Sequence, residues 1–304
     1  MKGRALILTF IVALLQFSCR NAPHKAEELA SSGIDSLKPG ETVSETSGLK
    51  DEIPMNYFSP VEMADLFQKI GVPFSNDYLA SSIDPNYQTT SFDKAISLGI
   101  LCADLGYLNM YEMTGSSLNL VSSVKKLAED LKVDQFFDFD AITRLSLNKS
   151  SLDSLLFLSL SSYSQVDNYM RVNDLGHLSA LMMTGVWLEG QYLTTRVFNQ
   201  YPDPKLRDRI GEQKIFLNHL VKTTLPYCNQ DIQYTKLCGD LKELNEKYND
   251  VRISYTRGEP VSTREGKGLK ITQTETSIVE MSQEQLSQII EASGNLRNNL
   301  IKND

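Results

Sequence analysis

The chain has 304 residues and a formal net charge of −8 at pH 7. Nucleic acids and anionic lipid headgroups attract surfaces with clustered Lys and Arg, and the basic residues here stand in pairs with acidic neighbours. The composition therefore argues against a nucleic-acid partner. The length leaves room for one large domain or two smaller ones.

The first residues have the pattern of an export signal. Lys2 and Arg4 precede an apolar run over residues 5–15, which ends shortly before Ser18 and Cys19. A run of this length matches the apolar region of a signal peptide, whereas a membrane-spanning helix needs about 20 apolar residues. The pattern therefore predicts export rather than a permanent transmembrane anchor.

A small residue directly before a cysteine resembles the cleavage site of bacterial lipoprotein precursors. In that family the signal is removed before the cysteine, which then carries the lipid. The resemblance covers residues 1–19, and it departs from the family at Gln16, where Leu is usual; looser sites of this kind resemble those of Bacteroidota. It implies a signal peptide over residues 1–18 and lipidation of Cys19. An ordinary secretory signal and a free N-terminal anchor remain the alternatives.

The residues after Cys19 carry neither the aspartate of an inner-membrane retention signal nor the acidic run of a surface-export signal. By analogy, the resemblance implies a lipid anchor in the outer membrane, with the protein facing the periplasm. Residues 20–52 are rich in Ser, Glu, Lys, Gly and Pro and lack apolar periodicity, so they cannot offset the entropy of ordering. We therefore expect the lipidated Cys19 and a flexible tether over residues 19–52, with a reach of ~30 Å.

Apolar residues recur at helical spacing through most of the body, which predicts a mainly α protein with a multi-helix bundle or a helical-repeat-like array over residues 53–250. Two helices are apolar around most of their circumference and should be buried, and Asn173 and Asp174 are expected to cap the second. The predicted helices span residues 60–70, 92–113, 116–131, 138–147, 152–172, 175–198, 204–225 and 237–248.

The pattern changes over residues 251–304, where we predict a small β-hairpin and a terminal helix. Val251, Ile253 and Tyr255 alternate with polar residues, as in a half-buried strand, and a Thr-rich return strand follows a Gly-containing loop. An isolated hairpin is marginally stable, so this one must pack on the bundle, pair with a partner or fray. Ser282 and Gln285 form a capping box for the last helix.

The two buried helices resemble each other over residues 101–108 and 186–193, faintly like tetratricopeptide repeats, although the spacing of the aromatic residues differs from that motif. Each helix places an acid three residues before a tyrosine: Asp104 before Tyr107, and Glu189 before Tyr192. A buried carboxylate is costly unless it is hydrogen-bonded or paired.

If the two helices are neighbours, the four side chains of Asp104, Tyr107, Glu189 and Tyr192 converge. They would then form a small-ligand pocket or an acid/base pair. Alternatively, each acid fixes the packing by bonding a hydroxyl or an arginine of a neighbouring helix, for which Arg144, Arg171 and Arg196 are candidates. The structural interpretation is favoured.

The cysteines suggest a disulfide but no metal site. Cys228 and Cys238 are close enough to close a small loop, and an exported protein lies where disulfides persist. Cys102 lies in an apolar helix and is interpreted as a small buried side chain. No Cys and His spacing predicts a metal site, no phosphate loop or nucleophile elbow is present, and no cofactor is expected.

The body resembles uncharacterised helical lipoproteins of Bacteroidota, a resemblance that implies no activity. The leading hypothesis is a membrane-anchored envelope lipoprotein that acts as a non-catalytic binding or scaffolding module, with an envelope protein as its partner. One alternative is a small-ligand-binding protein that uses the acidic and tyrosine side chains. The second alternative is a hydrolase with a site that no motif reveals.

Overall fold

The architecture is described by a computed structural model over residues 42–44, 59–148, 152–265 and 268–302, with the backbone alone for residues 42–44 and 257–276. These residues form nine α-helices and one three-stranded antiparallel sheet, so the protein has the predicted mainly α fold. The predicted signal peptide, Cys19 and most of the predicted tether lie outside the described residues.

The predicted helices are present with small differences at their ends. α8 begins five residues before the predicted start at 237, because the Asp231 side chain accepts hydrogen bonds from the amides of Gln233 and Tyr234. The helices are α1 (Pro60–Lys69), α2 (Ser91–Met110), α3 (Thr114–Asp130), α4 (Phe139–Leu147), α5 (Leu152–Val172), α6 (Gly176–Gln200), α7 (Pro204–Thr224), α8 (Ile232–Lys247) and α9 (Gln283–Leu300).

Local sequence signals explain most of the helix starts. Ser59 and Asp203 each cap a helix that begins with proline, and Ser282 forms the predicted capping box with Gln285. The expected cap of α6 is wrong. Asp174 has a φ of 60°, in the left-handed region, and the helix begins only after Leu175 without a side-chain cap. The Leu175 amide donates back to the Met170 carbonyl at 2.7 Å, so Asp174 closes the end of α5 instead of capping α6.

α2 and α6 form the centre of the bundle, and both are buried along most of their length, as predicted. They approach each other through glycines. A Cβ atom on Gly99 would lie 2.0 Å from the carbonyl oxygen of Met182, and one on Gly185 would lie 2.3 Å from that of Ile96. No side chain fits between the two backbones at this crossing. The glycines therefore allow Asp104 and Glu189, which lie one to two turns further along their helices, to meet.

The other elements surround this central pair. α3 packs on α2, α5 and α7 pack on α6, α1 contacts both central helices, and α9 contacts α6, α7 and α8. The predicted hairpin is confirmed: β2 (Arg252–Glu265) pairs antiparallel with β3 (Gly268–Glu280), and its base packs on α7. Ile253 and Val279 are buried at that base.

A short strand from the predicted tether completes the sheet. β1 (Thr42–Ser44) pairs antiparallel with β2, with Thr42 opposite Thr256 and Ser44 opposite Ser254. The strand order is β1-β2-β3, so β2 is central at the base of the hairpin. Where the described part of the tether meets the body, it is therefore hydrogen-bonded to the C-terminal hairpin.

Candidate functional site

Asp104 and Glu189 are neighbours in the core of the bundle. Asp104 lies in α2 and is 2% exposed, and Glu189 lies in α6 and is 0% exposed. Because the glycine crossing brings the two helices together, the two acids interact directly. Burial raises the pKa of the Asp104 carboxyl well above its usual value, and the adjacent Glu189 charge raises it further. The two acids that sequence reasoning singled out thus form one cluster.

The third member of the cluster is Arg297 of α9, which sequence reasoning missed. Its Nε donates to Oε2 of Glu189 and its Nη2 donates to Oε1, both at 2.8 Å. Nη2 also donates to the carbonyl oxygen of Tyr78 at 3.4 Å. A two-point pair of this kind is the strong form of an ion pair between Arg and a carboxylate. The arginine is buried with the acid, and it joins α9 to α6.

The charges of the cluster balance when Asp104 is protonated. One oxygen of Asp104, Oδ2, accepts a hydrogen bond from the Ala80 amide at 2.8 Å, and the other, Oδ1, is buried with no donor to bond among the described residues. A proton on this carboxyl would give it a hydrogen bond to donate to the adjacent Glu189, which favours the protonated form. Burial also raises the pKa of Glu189, but the hydrogen bonds and charge of Arg297 oppose this. Glu189 is therefore the charged acid of the pair, and Asp104 is the neutral one.

The two tyrosines, Tyr107 and Tyr192, lie in different contacts. The guanidinium carbon of Arg297 lies 4.1 Å from the centre of the Tyr192 ring, so Tyr192 belongs to the cluster through a cation–π contact. Tyr107 faces the loop before α2 instead: its hydroxyl accepts a hydrogen bond from the Ser75 amide at 3.0 Å, and its ring stacks on Phe74. The structure thus brings together Asp104, Glu189 and Tyr192, and it places Tyr107 in a different contact.

A pattern in α9 could have identified Arg297. The buried side chains of this helix include Leu286, Ile289 and Ser293, and Arg297 lies one helical turn after Ser293 on the same stripe. A charged residue on a buried stripe requires a partner, since an unpaired buried charge is costly. The sequence offered Arg144, Arg171 and Arg196 as candidate partners on neighbouring helices. The actual partner comes from the last helix.

The disulfide expected between Cys228 and Cys238 is present, with 5.7 Å between the two Cα atoms. It links the turn after α7 to the middle of α8. Cys102 is a free, buried cysteine, and burial raises the pKa of its thiol to about 12. Both observations agree with the interpretation of these residues from the sequence.

Comparisons with protein-family models, curated proteins and solved structures give no match to this chain. Across the described residues, no three His, Cys, Asp or Glu side chains are arranged to hold a metal ion. None of the helices described is both long enough and apolar enough to span a bilayer.

Proposed function

We propose that this protein is a lipid-anchored envelope protein whose helical body acts as a non-catalytic binding or scaffolding module. The basic and apolar residues before Cys19 support export and lipidation, and two or three acyl chains would hold the protein on the membrane effectively permanently. By the same analogy, the anchor lies in the outer membrane and the body faces the periplasm.

The observation that carries the non-catalytic part of the proposal is the internal pairing of Asp104, Glu189 and Arg297. A general acid or base must come within hydrogen-bond reach of a substrate. Here both acids are buried and are bonded to groups of the protein itself. The cluster therefore fixes α9 on the central helices, and the ligand-pocket alternative is less well supported because Tyr107 contacts another loop.

If the buried acidic cluster serves only to hold the helices together, a partner must bind at the protein surface. The C-terminal hairpin provides a suitable surface. The β2–β3 ladder continues past a bulge between Arg257 and Pro260 to the pair Glu265–Gly268, whereas the contacts with α7 involve its base. In the described part of the sheet, the outer edge of β3 has no neighbouring strand. An open sheet edge can accept an extended segment of a partner protein. This supports a binding module.

Cross-linking in cells tests the binding proposal. The tagged, full-length protein carries a photoreactive side chain in place of Ile278, which is 50% exposed on β3, and mass spectrometry identifies what it captures. We expect one dominant envelope protein. A matched protein carries the photoreactive group on α3 instead and serves as the control, because it reports capture that does not depend on the hairpin. If the membrane-bound, folded protein captures nothing above background, the scaffold proposal is wrong.

The anchor is tested separately by replacing Cys19 with Ser. Wild-type protein should fractionate with membranes, and its mature N-terminal peptide should begin with a lipid-modified Cys19. The Cys19→Ser variant should lack the lipid and leave the membrane fraction. An intact, unmodified Cys19 in the wild-type membrane-associated protein would disprove lipidation without affecting the binding proposal.

A further inference from the structure

Three strongly exposed aliphatic side chains lie where helices end on one side of the bundle. Val172, the last residue of α5, is 75% exposed, and Leu225, directly after α7, is 67% exposed. Ile232, the first residue of α8, is 81% exposed. These three residues, the end patch, take no part in the acidic cluster or in the hairpin.

The helix ends that carry the end patch meet at one place. A Cβ atom on Gly176, the first residue of α6, would lie 2.5 Å from the Tyr227 hydroxyl and 3.9 Å from Cγ of Arg171. The turn after α7 therefore lies against the end of α5 and the start of α6. The disulfide between Cys228 and Cys238 joins this turn to α8. The fold thus holds all three helix ends in fixed positions.

The size and chemistry of the end patch favour a lipid surface over a protein partner. Three aliphatic side chains expose on the order of a few hundred Å², whereas a stable complex buries about 800 Å² on each partner. Binding between proteins depends most on Trp, Tyr and Arg, and Leu and Val are under-represented among such residues. Val, Leu and Ile, in contrast, enter the apolar region of a bilayer favourably and need no complementary shape there.

The charged residues beside the end patch have both signs. Within three positions of its members lie two exposed basic and two exposed acidic residues: Arg171, Lys222, Asp174 and Asp231. Anionic headgroups attract clustered Lys and Arg, and this attraction is screened by salt. Because the flanking charges compensate, contact with a bilayer depends on the aliphatic side chains, and it should need neither anionic lipid nor low salt.

The predicted tether is long enough to let the end patch reach a membrane. The base of the hairpin, where β1 pairs, packs on α7 at Gly211. Leu225 follows Gly211 by 14 positions, which is about 21 Å along a helix. The 23 positions from Cys19 to Thr42 reach ~26 Å as a flexible chain. The anchor and the end patch can therefore touch the same bilayer while β1 stays paired.

We propose that the end patch inserts into the surface of the phospholipid bilayer to which the protein is anchored. The inference rests on the proposed lipid anchor, because three side chains alone bind a membrane weakly, and a tether that keeps the bilayer within reach makes their insertion effective. Insertion gives the body a fixed orientation on the membrane, whereas the tether alone would leave it free to rotate. The hairpin, at the other part of α7, stays accessible to a partner protein.

Fluorescence on vesicles tests the insertion. The chain from residue 19 onward, with Cys19→Ser, is held by an N-terminal histidine tag on phosphatidylcholine vesicles that contain a nickel-chelating lipid. A nitrobenzoxadiazole label on Gln230→Cys reports on the end patch, and one on Phe157→Cys, 15 positions before Val172 in α5, is the control. Cys102 stays unlabelled, because it is buried and burial raises the pKa of its thiol to about 12; the remaining two cysteines are paired.

We expect the label at position 230 to shift its emission to shorter wavelength and to be quenched by lipids with a spin label on the acyl chain. The result should be the same at low and high salt and with phosphatidylglycerol added. The label at position 157 should stay in water. The proposal is overturned if the label at position 230 stays in water, or if both labels are quenched equally. A label at position 230 that stays in water while the chain dimerises on the vesicles would assign the end patch to a second copy instead.

Two serine substitutions separate the end patch from exposed apolar surface in general. Ile232→Ser removes an 81% exposed side chain from the patch and should lower the ratio of inserted to free protein about tenfold or more. Phe157→Ser removes a 75% exposed side chain elsewhere and should leave the ratio unchanged. Both positions are exposed, so both variants should fold, which circular dichroism checks. Equal effects of the two substitutions would contradict the proposal.

Failure of this inference and failure of the proposed function give different results. Because the tag supplies the anchor on the vesicles, an unlipidated Cys19 in cells would contradict the proposed function and leave the vesicle result unchanged. A label at position 230 that stays in water on tagged vesicles would contradict the insertion and leave the lipidation of Cys19 untouched.

Discussion

Glu189 and Arg297 are 108 positions apart in the sequence and form a two-point ion pair in the interior, with two nitrogen–oxygen distances of 2.8 Å. Removing two charges from water is costly, and only good geometry with further hydrogen bonds offsets that cost. Here the additional partners are Tyr78, Tyr192 and the protonated Asp104. The pair therefore specifies where the last helix docks, and removing one partner should have a large effect.

Arg297→Met should strongly destabilise the protein, because it leaves the Glu189 carboxylate buried without its cation. We expect the free energy of unfolding to fall by about 3–5 kcal/mol. The measurement is chemical denaturation followed by circular dichroism. Lys69→Gln is the control, since Lys69 pairs with Asp65 but is 67% exposed, and such a pair contributes less than about 1 kcal/mol. Equal losses in the two variants would contradict the proposed role of Arg297.

Asp104→Asn should change the pH dependence of stability and leave the fold intact. The raised pKa of Asp104 means that the folded protein keeps a proton that the unfolded chain has lost. This contribution is complete below about pH 4, the pKa of the unfolded chain, and is lost as the pH rises towards the folded pKa, by about 1.4 kcal/mol per pH unit. Asparagine does not titrate, and its amide can still accept from Ala80 and donate to Glu189.

Relative to the wild type, the Asp104→Asn protein should therefore gain stability as the pH rises from 5 to 8. Urea denaturation at a series of pH values measures this difference. Glu189→Gln serves as the contrasting variant, because it removes the charge that Arg297 requires and should lower stability at every pH. A stability difference between wild type and Asp104→Asn that does not change with pH would show that Asp104 is not the protonated acid.

Gly99→Ala should disrupt the crossing of α2 and α6. The added Cβ would lie 2.0 Å from the carbonyl oxygen of Met182, so a backbone must shift. We expect a loss of about 1–3 kcal/mol or more. Gly239→Ala is the matched control: its Cβ would meet nothing within 4 Å, and the helix should gain about 0.5–1 kcal/mol. Thermal unfolding should show a lower melting temperature than wild type for Gly99→Ala and a higher one for Gly239→Ala.

Replacing Cys228 and Cys238 together by Ser should destabilise the protein moderately. The disulfide closes a loop with a sequence separation of 10 residues, for which the loop-entropy relation gives about 2–3 kcal/mol. Arg297 bonds to Glu189, Tyr78 and Tyr192, none of which lies in the α7–α8 turn that the disulfide closes, so the effect of Arg297→Met should add to this loss. A double-mutant cycle measures the additivity. A large coupling energy would show that the α7–α8 turn and α9 do not respond independently.

Much of the fold could be predicted because its signals are local. The 3.6-residue periodicity, the proline after Ser59 and the Ser282–Gln285 box act within one or two turns, and the structure contains these elements. The pairing of β1 with β2 was not foreseen, since three residues in a polar segment carry no recognisable strand pattern. The cap of α6 was predicted wrongly because Asp174 adopts a left-handed conformation that closes α5, and the sequence does not show which of the two helices the residue serves.

The acidic cluster was only half predictable. Asp104 and Glu189 stood out because a carboxylate inside an apolar helix needs a partner, but the partner is determined by tertiary packing. Arg297 comes from a helix that begins at Gln283, 83 positions after α6 ends at Gln200, and its sequence neighbours do not reveal which part of the core it enters. Tyr107 shares its helical spacing with Tyr192, yet the loop around Ser75 draws it into another contact.

The central claim is that the acidic cluster holds the structure together and that binding occurs at the surface. The most direct test compares the proteins that cross-link in cells to the wild type and to the Asp104→Asn variant at matched expression levels. We predict a stable, membrane-associated variant that captures the same envelope protein in the same amount. A folded, membrane-associated Asp104→Asn protein that loses this capture would show that the cluster takes part in binding, and the structural account would be wrong.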